Sequence, residues 1–133
     1  GNPLSLAAGK ATLTQLDENP DIFTRLEKSA EVFVSDVNHF AERFKINARM
    51  MGKASMFRLV FSSNSIKNRR ERDQHEVNAE VQNAFYQTLR EAGVWIGTNR
   101  INFLSAAHAQ KDLDKACEAY KACLNDFHQK AMI

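Results

Sequence analysis

Apolar residues recur at helical spacing in three parts of the chain. After Pro20 they fall three, four or seven positions apart, which predicts one long amphipathic helix lasting to about Arg43. Its apolar face consists of Ile22, Leu26, Phe33, Val37, Phe40 and Phe44. A later helix, with Gly93 as its C-terminal stop, has an apolar face of Val77, Val81, Ala84, Phe85 and Leu89. The last helix has Leu113, Cys117, Tyr120, Leu124 and Phe127.

The first residues predict one more helix. Asn2 is a suitable N-cap, and Pro3 follows at the first helical position, where its missing N–H costs nothing. The same pair recurs at Asn19-Pro20, before the long helix. We therefore expect two consecutive helices at the start of the chain.

Strands are predicted in the middle of the chain and before the last helix. The stretch "SMFRLVF" alternates apolar and other residues with the period of a strand, whereas "INARMM" before it is ambiguous, and Gly52 between them permits a turn or bulge. "VWI" and "INFLS" read as brief strands around the turn "GTNR", and the polar "SSNSIKNRRERDQ" reads as a loop. The predicted order is α-α-β-α-β-β-α, an α+β fold with a small, mainly antiparallel sheet and helices packed on one face.

Composition is that of an ordinary soluble domain. The 133 residues are 44% hydrophobic and 26% charged, which suits a single domain with one core. A formal net charge of +2 is too small to imply nucleic acid or an anionic membrane as a partner. Cys117 and Cys123 lie about 120° apart on a helix, so they cannot pair, and we expect reduced thiols in a cytoplasmic protein.

The candidate chemistry that the residues offer is limited. The basic cluster Lys67, Arg69, Arg70 and Arg72 suits a phosphate site or a solvated loop, and it has no interleaved aromatic residues. The four histidines lack the spacing of a helical metal site, and no serine lies in a nucleophile elbow. For His108, between a strand and a helix, we expect a structural hydrogen bond. We expect no catalytic, cofactor-binding or metal-binding residue in this chain.

The turn "GTNR" is the better candidate for a binding site. It places Arg100 beside Asn99, with Asn102 following in the next strand. A guanidinium on a loop held by strands can bind a carboxylate through two parallel hydrogen bonds. The alternative is an arginine in a solvent-exposed turn. Arg100, Asn99 and Asn102 are thus the predicted substrate-binding residues.

Four segments taken in order carry a family resemblance. They are "GNPLSLAAGKATL", "GKASMFRLVF", "REAGVWI" and "FLSAAHAQKDLDKACEAYKACL". Together they resemble the C-terminal part of class III aminotransferases, in particular the glutamate-1-semialdehyde aminomutase branch, which includes aminotransferase domains inside large synthases. The resemblance covers nearly all of the chain, and the first and last segments are its specific parts.

The resemblance implies where the cofactor would be. Such enzymes hold pyridoxal phosphate as a Schiff base on a lysine of a large domain, upstream of the "GNPL" segment. Residues 1–17 would then be a lead-in helix from that domain, and residues 18–133 the small α+β domain. The fragment alone should be inactive and hold no cofactor, and neither Lys10 nor Lys53 should substitute for the missing lysine.

The resemblance also implies a role. The small domain would close over the active site of a homodimeric enzyme and line the side where a small amino or keto substrate, or a carrier-bound chain, enters. Arg100 stands at or next to an acidic position of the aminomutases, which favours a carboxylate-bearing substrate here. Ala109 stands where a capping threonine is usual, at a cost of about 1 kcal/mol. The alternative function, from the basic cluster, is a free-standing interaction or phosphate/polyanion-binding module without catalysis.

Overall fold

The computed structural model describes residues 1–62, 64, 66–77, 79–97 and 101–133. Over these residues the chain forms five helices and three strands. The helices are α1 (Pro3–Glu18), α2 (Asp21–Arg43), α3 (Arg69–His75), α4 (Ala79–Glu91) and α5 (Gln110–Gln129). The strands are β1 (Arg49–Lys53), β2 (Met56–Val60) and β3 (Asn102–Phe103).

The first two helices begin at nearly the predicted residues, but their caps differ. Asn2 Oδ1 accepts a hydrogen bond from the Leu4 N–H at 2.9 Å, so Asn2 is the N-cap of α1 as predicted. Asn19 instead closes α1, because its side-chain amide donates to the Gln15 carbonyl at 2.9 Å. At the start of α2 no side chain makes a cap hydrogen bond. The α2 helix ends at Arg43, as expected.

The sheet is antiparallel with the strand order β1-β2-β3. Gly52 pairs with Phe57 inside β1, so it forms neither the turn nor the bulge that its position permits, and the chain turns at Ala54 instead. Gly52 has a packing role: a Cβ there would collide with the Met56 carbonyl oxygen and with Phe57.

The core lies between the sheet and three helices. The α2 helix lies against β1 and β2, α5 packs on α2, and α4 packs on α5. Aromatic rings fill the centre, with ring centroids 5.1 Å apart for Phe33 and Phe57 and 5.0 Å apart for Phe61 and Phe85. The Asn38 amide ties α2 to the edge strand β1, since it accepts from the Met50 N–H at 2.7 Å and donates to the Met50 carbonyl at 3.0 Å. The predicted α+β class, with helices on one face of a small antiparallel sheet, is confirmed.

The observed order of elements is α-α-β-β-α-α-β-α. It differs from the predicted order because "INARMM" contributes β1 and because two other segments have a secondary structure that was not predicted. The first is α3, which forms within the predicted loop. Asn68 Oδ1 accepts from the Glu71 N–H at 3.0 Å, and Glu71 Oε2 accepts from the Lys67 N–H at 2.8 Å. This reciprocal capping starts a seven-residue helix in a sequence that has no apolar period.

The second segment is "VWI", which is not a strand. Gly93 has φ +86° and donates its N–H to the Arg90 carbonyl at 2.9 Å, and the Val94 N–H donates to the Leu89 carbonyl at 2.9 Å. These two bonds form a Schellman cap of α4. Because the Val94 N–H is used in the cap, the backbone after α4 continues as an irregular connection and not as a strand.

Candidate functional site

The predicted turn lies between two anchored segments. Asn99 and Arg100 fall outside the described residues, and the chain is described again from Ile101. Before the turn, Ile96 is 4% exposed and belongs to the hydrophobic core. After the turn, Asn102 pairs with Phe57 in the β2–β3 ladder. Both flanks of the turn are therefore held by the domain.

The side chain of Asn102 makes two hydrogen bonds to other elements. Its Nδ2 donates to the Phe57 carbonyl at 3.1 Å, and its Oδ1 accepts from the Tyr120 hydroxyl at 2.7 Å. The amide thus faces α5, on the same side of the sheet as the core. Its two polar ends join three elements: β2, β3 and α5.

Tyr120 lies in the core beneath the sheet. It is 1% exposed, and its ring packs edge-on against Phe33 with centroids 5.8 Å apart. Burial raises the pKa of Tyr120 well above its usual value. The hydroxyl therefore stays protonated at neutral pH and remains a donor to Asn102.

The turn between β3 and α5 is closed by local hydrogen bonds. The Ser105 N–H donates to His108 Nδ1 at 3.0 Å, and Ser105 Oγ accepts from the Ala107 N–H at 3.3 Å. His108 thus makes the structural hydrogen bond that was predicted. Ala109 has no side-chain oxygen to offer α5, but its N–H donates to Asp112 Oδ2 at 2.9 Å, so half of a capping box remains.

One face of the sheet is exposed at the end near the turn between β3 and α5. Phe57 and Leu59 point into the core, so strand alternation places Met56 and Arg58 on the opposite side, which we call the outer face. Met56 pairs with Phe103, and the two residues are 53% and 56% exposed. At the other end of the outer face, Arg58 Nη2 donates to both carboxylate oxygens of Glu76, at 3.2 and 3.1 Å.

The α1 helix is exposed on all sides. None of its residues is buried, and its leucines at positions 4, 6 and 13 are 78%, 65% and 68% exposed. An amphipathic helix gains most of its stability from packing an apolar face. These leucines, like Met56 and Phe103, form exposed apolar surface of the kind that marks contact sites.

Two arginines of the basic cluster, Arg69 and Arg72, are paired with nearby acids. Arg72 Nε donates to Asp73 at 3.0 Å and lies 3.5 Å from Glu76, and Arg69 lies 3.5 Å from Asp73. The hydrogen bond from Arg72 lowers the pKa of Asp73, which keeps that carboxylate charged. Arginines engaged in this way present less charge to a polyanion.

A groove of about 350 Å³ lies between α2 and the start of α5. It is lined by both basic and acidic side chains, among them Arg25 and Asp114, and by Cys117.

Both cysteines are free and buried. Burial raises the pKa of Cys117, and that of Cys123 to about 11, so both thiols are protonated and unreactive at neutral pH. In the described part of the chain, no group of acidic, histidine and cysteine side chains is arranged to bind a metal ion.

No family model matches the chain. Curated proteins do match it: 34% identity over 93% of this chain to a glutamate-1-semialdehyde 2,1-aminomutase of Methanoculleus marisnigri, and 27% over 98% to one of Fusobacterium nucleatum. The matched regions are 29% and 30% of those proteins, in their C-terminal part. The chain matches the C-terminal part of class III aminotransferases. The family resemblance drawn from the sequence is thereby confirmed.

Solved aminotransferases have the same fold over this region. An omega-transaminase from Sphaerobacter thermophilus superimposes with a TM-score of 0.81 at 18% identity, over 96% of this chain and 29% of that one. A transaminase with PLP bound gives 0.76 at 22% identity, over 97% and 28%. A glutamate-1-semialdehyde aminomutase from Pseudomonas aeruginosa gives 0.72 at 14% identity, over 80% and 23%. The chain therefore spans less than a third of the length of these relatives.

Sequence reasoning missed the link between Asn102 and Tyr120. The two residues are 18 positions apart on different elements, and no sequence motif predicts that they are in contact. Only the helical spacing of Tyr120 on the apolar face of α5 predicted that its ring would be buried. Whether Asn99, Arg100 and Asn102 contact a substrate stays a prediction.

Proposed function

We propose that this chain is the small C-terminal domain of a pyridoxal-phosphate-dependent aminotransferase. It would close over the active site and line the side where the substrate binds. The intact enzyme would move an amino group between an amino donor and a keto or aldehyde acceptor. The observation that carries the proposal is the match to aminomutases over 93% of the chain, together with a shared fold at a TM-score of 0.81.

Neither Lys10 nor Lys53 suits a Schiff base with the cofactor. A lysine that forms a Schiff base needs a desolvating environment, whereas Lys10 on α1 and Lys53 on β1 are both exposed. We propose that an upstream large domain of the same polypeptide provides the lysine and holds the pyridoxal phosphate. The chain by itself would then be inactive.

Two surfaces suit contact with that upstream domain. One is the exposed α1, which we propose as the lead-in helix, with its leucines against the large domain. The other is the open end of the outer face, at Met56 and Phe103. Apolar side chains half or more exposed on both surfaces support this arrangement. The intact enzyme is proposed to be a cytoplasmic homodimer, either free-standing or within a multienzyme synthase.

The proposed substrate-side residues are those of the turn. Arg100 would bind a carboxylate, Asn99 would lie beside it, and Asn102 would complete the site at the anchored end. The substrate would be a small amino or keto acid, or a carrier-bound chain with a carboxylate. A guanidinium is suited to this because its paired N–H groups match the geometry of a carboxylate.

Replacing Arg100 with alanine in the complete polypeptide should weaken use of a carboxylate-bearing substrate. We expect the Michaelis constant for L-glutamate to rise 10- to 100-fold, because charge-assisted hydrogen bonds of about 1.5–3 kcal/mol are lost. The Michaelis constant for L-glutamine, which has an amide instead of the second carboxylate, should change little. Absorbance of the bound cofactor during the half-reaction measures both.

The matched control is Arg25→Ala, which removes the same charge from an exposed position on α2, where Arg25 pairs with Asp21. It should leave both constants unchanged. Cofactor content should be equal in all three proteins. Equal Michaelis constants for L-glutamate in the Arg100→Ala variant and the parent would mean that Arg100 is an ordinary residue of a solvent-exposed turn.

A further inference from the structure

The β1 strand is an edge of the sheet. In the strand order β1-β2-β3, it pairs with β2 on one side only. Backbone groups alternate in direction along an antiparallel strand, so every second residue of β1 presents its N–H and carbonyl to the side away from β2. Groups presented in this way are a template on which a strand of another molecule can pair, and proteins commonly protect such edges. An unprotected β1 would therefore favour association between copies of the chain.

Asn38 takes the place of a neighbouring strand at Met50. Its Oδ1 accepts from the Met50 N–H at 2.7 Å, and its Nδ2 donates to the Met50 carbonyl at 3.0 Å. Because both backbone groups of Met50 bind Asn38, Met50 and Leu59 face each other as a pair without ladder hydrogen bonds. The Asn38 amide makes the two hydrogen bonds that a further strand would make there. Strand addition at Met50 is thus blocked by a side chain of α2.

Positive charges lie at both ends of β1. Its first and last residues, Arg49 and Lys53, are exposed. Two copies of β1 could pair antiparallel about a twofold axis, because such an interface uses the same surface of both copies. In the register that centres on Met51, Met50 would lie opposite Gly52 of the second copy, and Arg49 opposite Lys53. Like charges directly opposite each other destabilise a strand pair, so this pairing would be opposed.

We infer that Asn38 protects the β1 edge: by holding both backbone groups of Met50, it keeps two copies of this chain from joining through their β1 strands. Arg49 and Lys53 oppose the same pairing through like charge. The inference is independent of the proposed function, since it concerns only β1 and the helix that lies against it.

The test is Asn38→Ala in the complete polypeptide. The freed backbone groups of Met50 should then pair with those of a second copy, and species of about twice the parent's mass and larger should appear as the protein concentration rises. Sedimentation velocity measures the mass, and circular dichroism shows that the variant is folded. A folded variant that keeps the parent's mass at every concentration would overturn the inference.

The matched control is Tyr86→Phe, which loses a hydrogen bond of the core. Tyr86 is 3% exposed, and its hydroxyl donates to the Leu59 carbonyl at 3.3 Å. Its removal should lower thermal stability but leave the parent's mass unchanged, because the β1 edge stays closed. If Tyr86→Phe associated as strongly as Asn38→Ala, the cause would be general destabilisation, and the inference would be wrong.

Charge reversal at Lys53 identifies the surface through which the copies join. Added to Asn38→Ala, the change Lys53→Glu turns two symmetric pairs of like charge into pairs of opposite charge, so association should tighten about tenfold. With Asn38 in place, Lys53→Glu alone should keep the parent's mass. Association of the Asn38→Ala variant that does not respond to Lys53→Glu would place the contact away from β1, contrary to the inference.

A measurement on the parent needs no variant. Hydrogen exchange resolved by NMR should show the Met50 amide exchanging about tenfold more slowly than the Gly52 amide, because Asn38 adds a hydrogen bond at Met50 alone. Equal exchange of the two amides would mean that Asn38 does not hold the edge in solution, and it would also overturn the inference.

Discussion

Replacing Phe85 with alanine is expected to lower the free energy of unfolding by about 3–5 kcal/mol, from lost transfer energy and a cavity that cannot collapse. Phe85 is fully buried, and its ring lies 5.0 Å from that of Phe61 and 5.2 Å from that of Phe127. It thus joins the loop after β2, α4 and α5. Denaturant unfolding followed by circular dichroism measures the change.

Phe23→Ala is the matched control for this prediction. Phe23 is 60% exposed on α2, so its removal should change the free energy of unfolding by about 0.5 kcal/mol or less. A Phe85→Ala variant with a loss below about 1 kcal/mol would contradict a core centred on these aromatic rings.

Gly52→Ala is expected to destabilise the β1–β2 hairpin strongly, by several kcal/mol. The added Cβ would collide with the Met56 carbonyl oxygen and with both Cα and Cβ of Phe57, so the backbone of one strand must move. Overpacking of a tight site typically costs about 1–3 kcal/mol, and clashes with backbone atoms cost more than clashes with flexible side chains. The same unfolding measurement applies.

Gly9→Ala should have the opposite sign. No atom lies within 4 Å of a Cβ built at Gly9, which is in the middle of α1. Alanine is favoured over glycine in a helix interior by about 0.5–1 kcal/mol, so α1 should become more helical.

A Gly52→Ala variant as stable as the parent would mean that β1 and β2 do not pair in the stated register.

The helices were predictable because their signals are local. The apolar faces of α2, α4 and α5, and the N-cap at Asn2, depend on residues within a few positions of each other, and the structure has them nearly as expected. The α3 helix was missed because its signal is a reciprocal cap, from Asn68 to Glu71, rather than an apolar period. The strand predicted at "VWI" is wrong because Val94 donates its N–H to the cap of α4.

The candidate site was predictable only in part. The residue types in "GTNR" predict a place for a carboxylate, and the family resemblance implies that this turn would lie beside a substrate. Contacts between distant parts of the chain carry no local signal, so the hydrogen bonds of the Asn102 amide could not be predicted. In the structure it is bound to Phe57 on β2 and to Tyr120 on α5.

In the proposed enzyme, a large domain upstream of this chain provides the lysine for the reaction. The match covers the C-terminal part of longer enzymes, and neither Lys10 nor Lys53 has the buried surroundings that a Schiff base requires. What the chain does contain is a packed domain with apolar side chains exposed at one end of its outer face, an exposed helix α1, and held segments on both sides of residues 98–100. Those features suit a domain that closes on another and delivers a binding group.

The most direct test of this account is to treat the native polypeptide with borohydride, which fixes a Schiff base as a pyridoxyl-lysine, and to map the labelled peptide. The account predicts a single labelled lysine upstream of Gly1, in a polypeptide that continues into residues 1–133. Label on Lys10 or Lys53 would contradict it. So would a native chain that begins near Gly1 and carries no label.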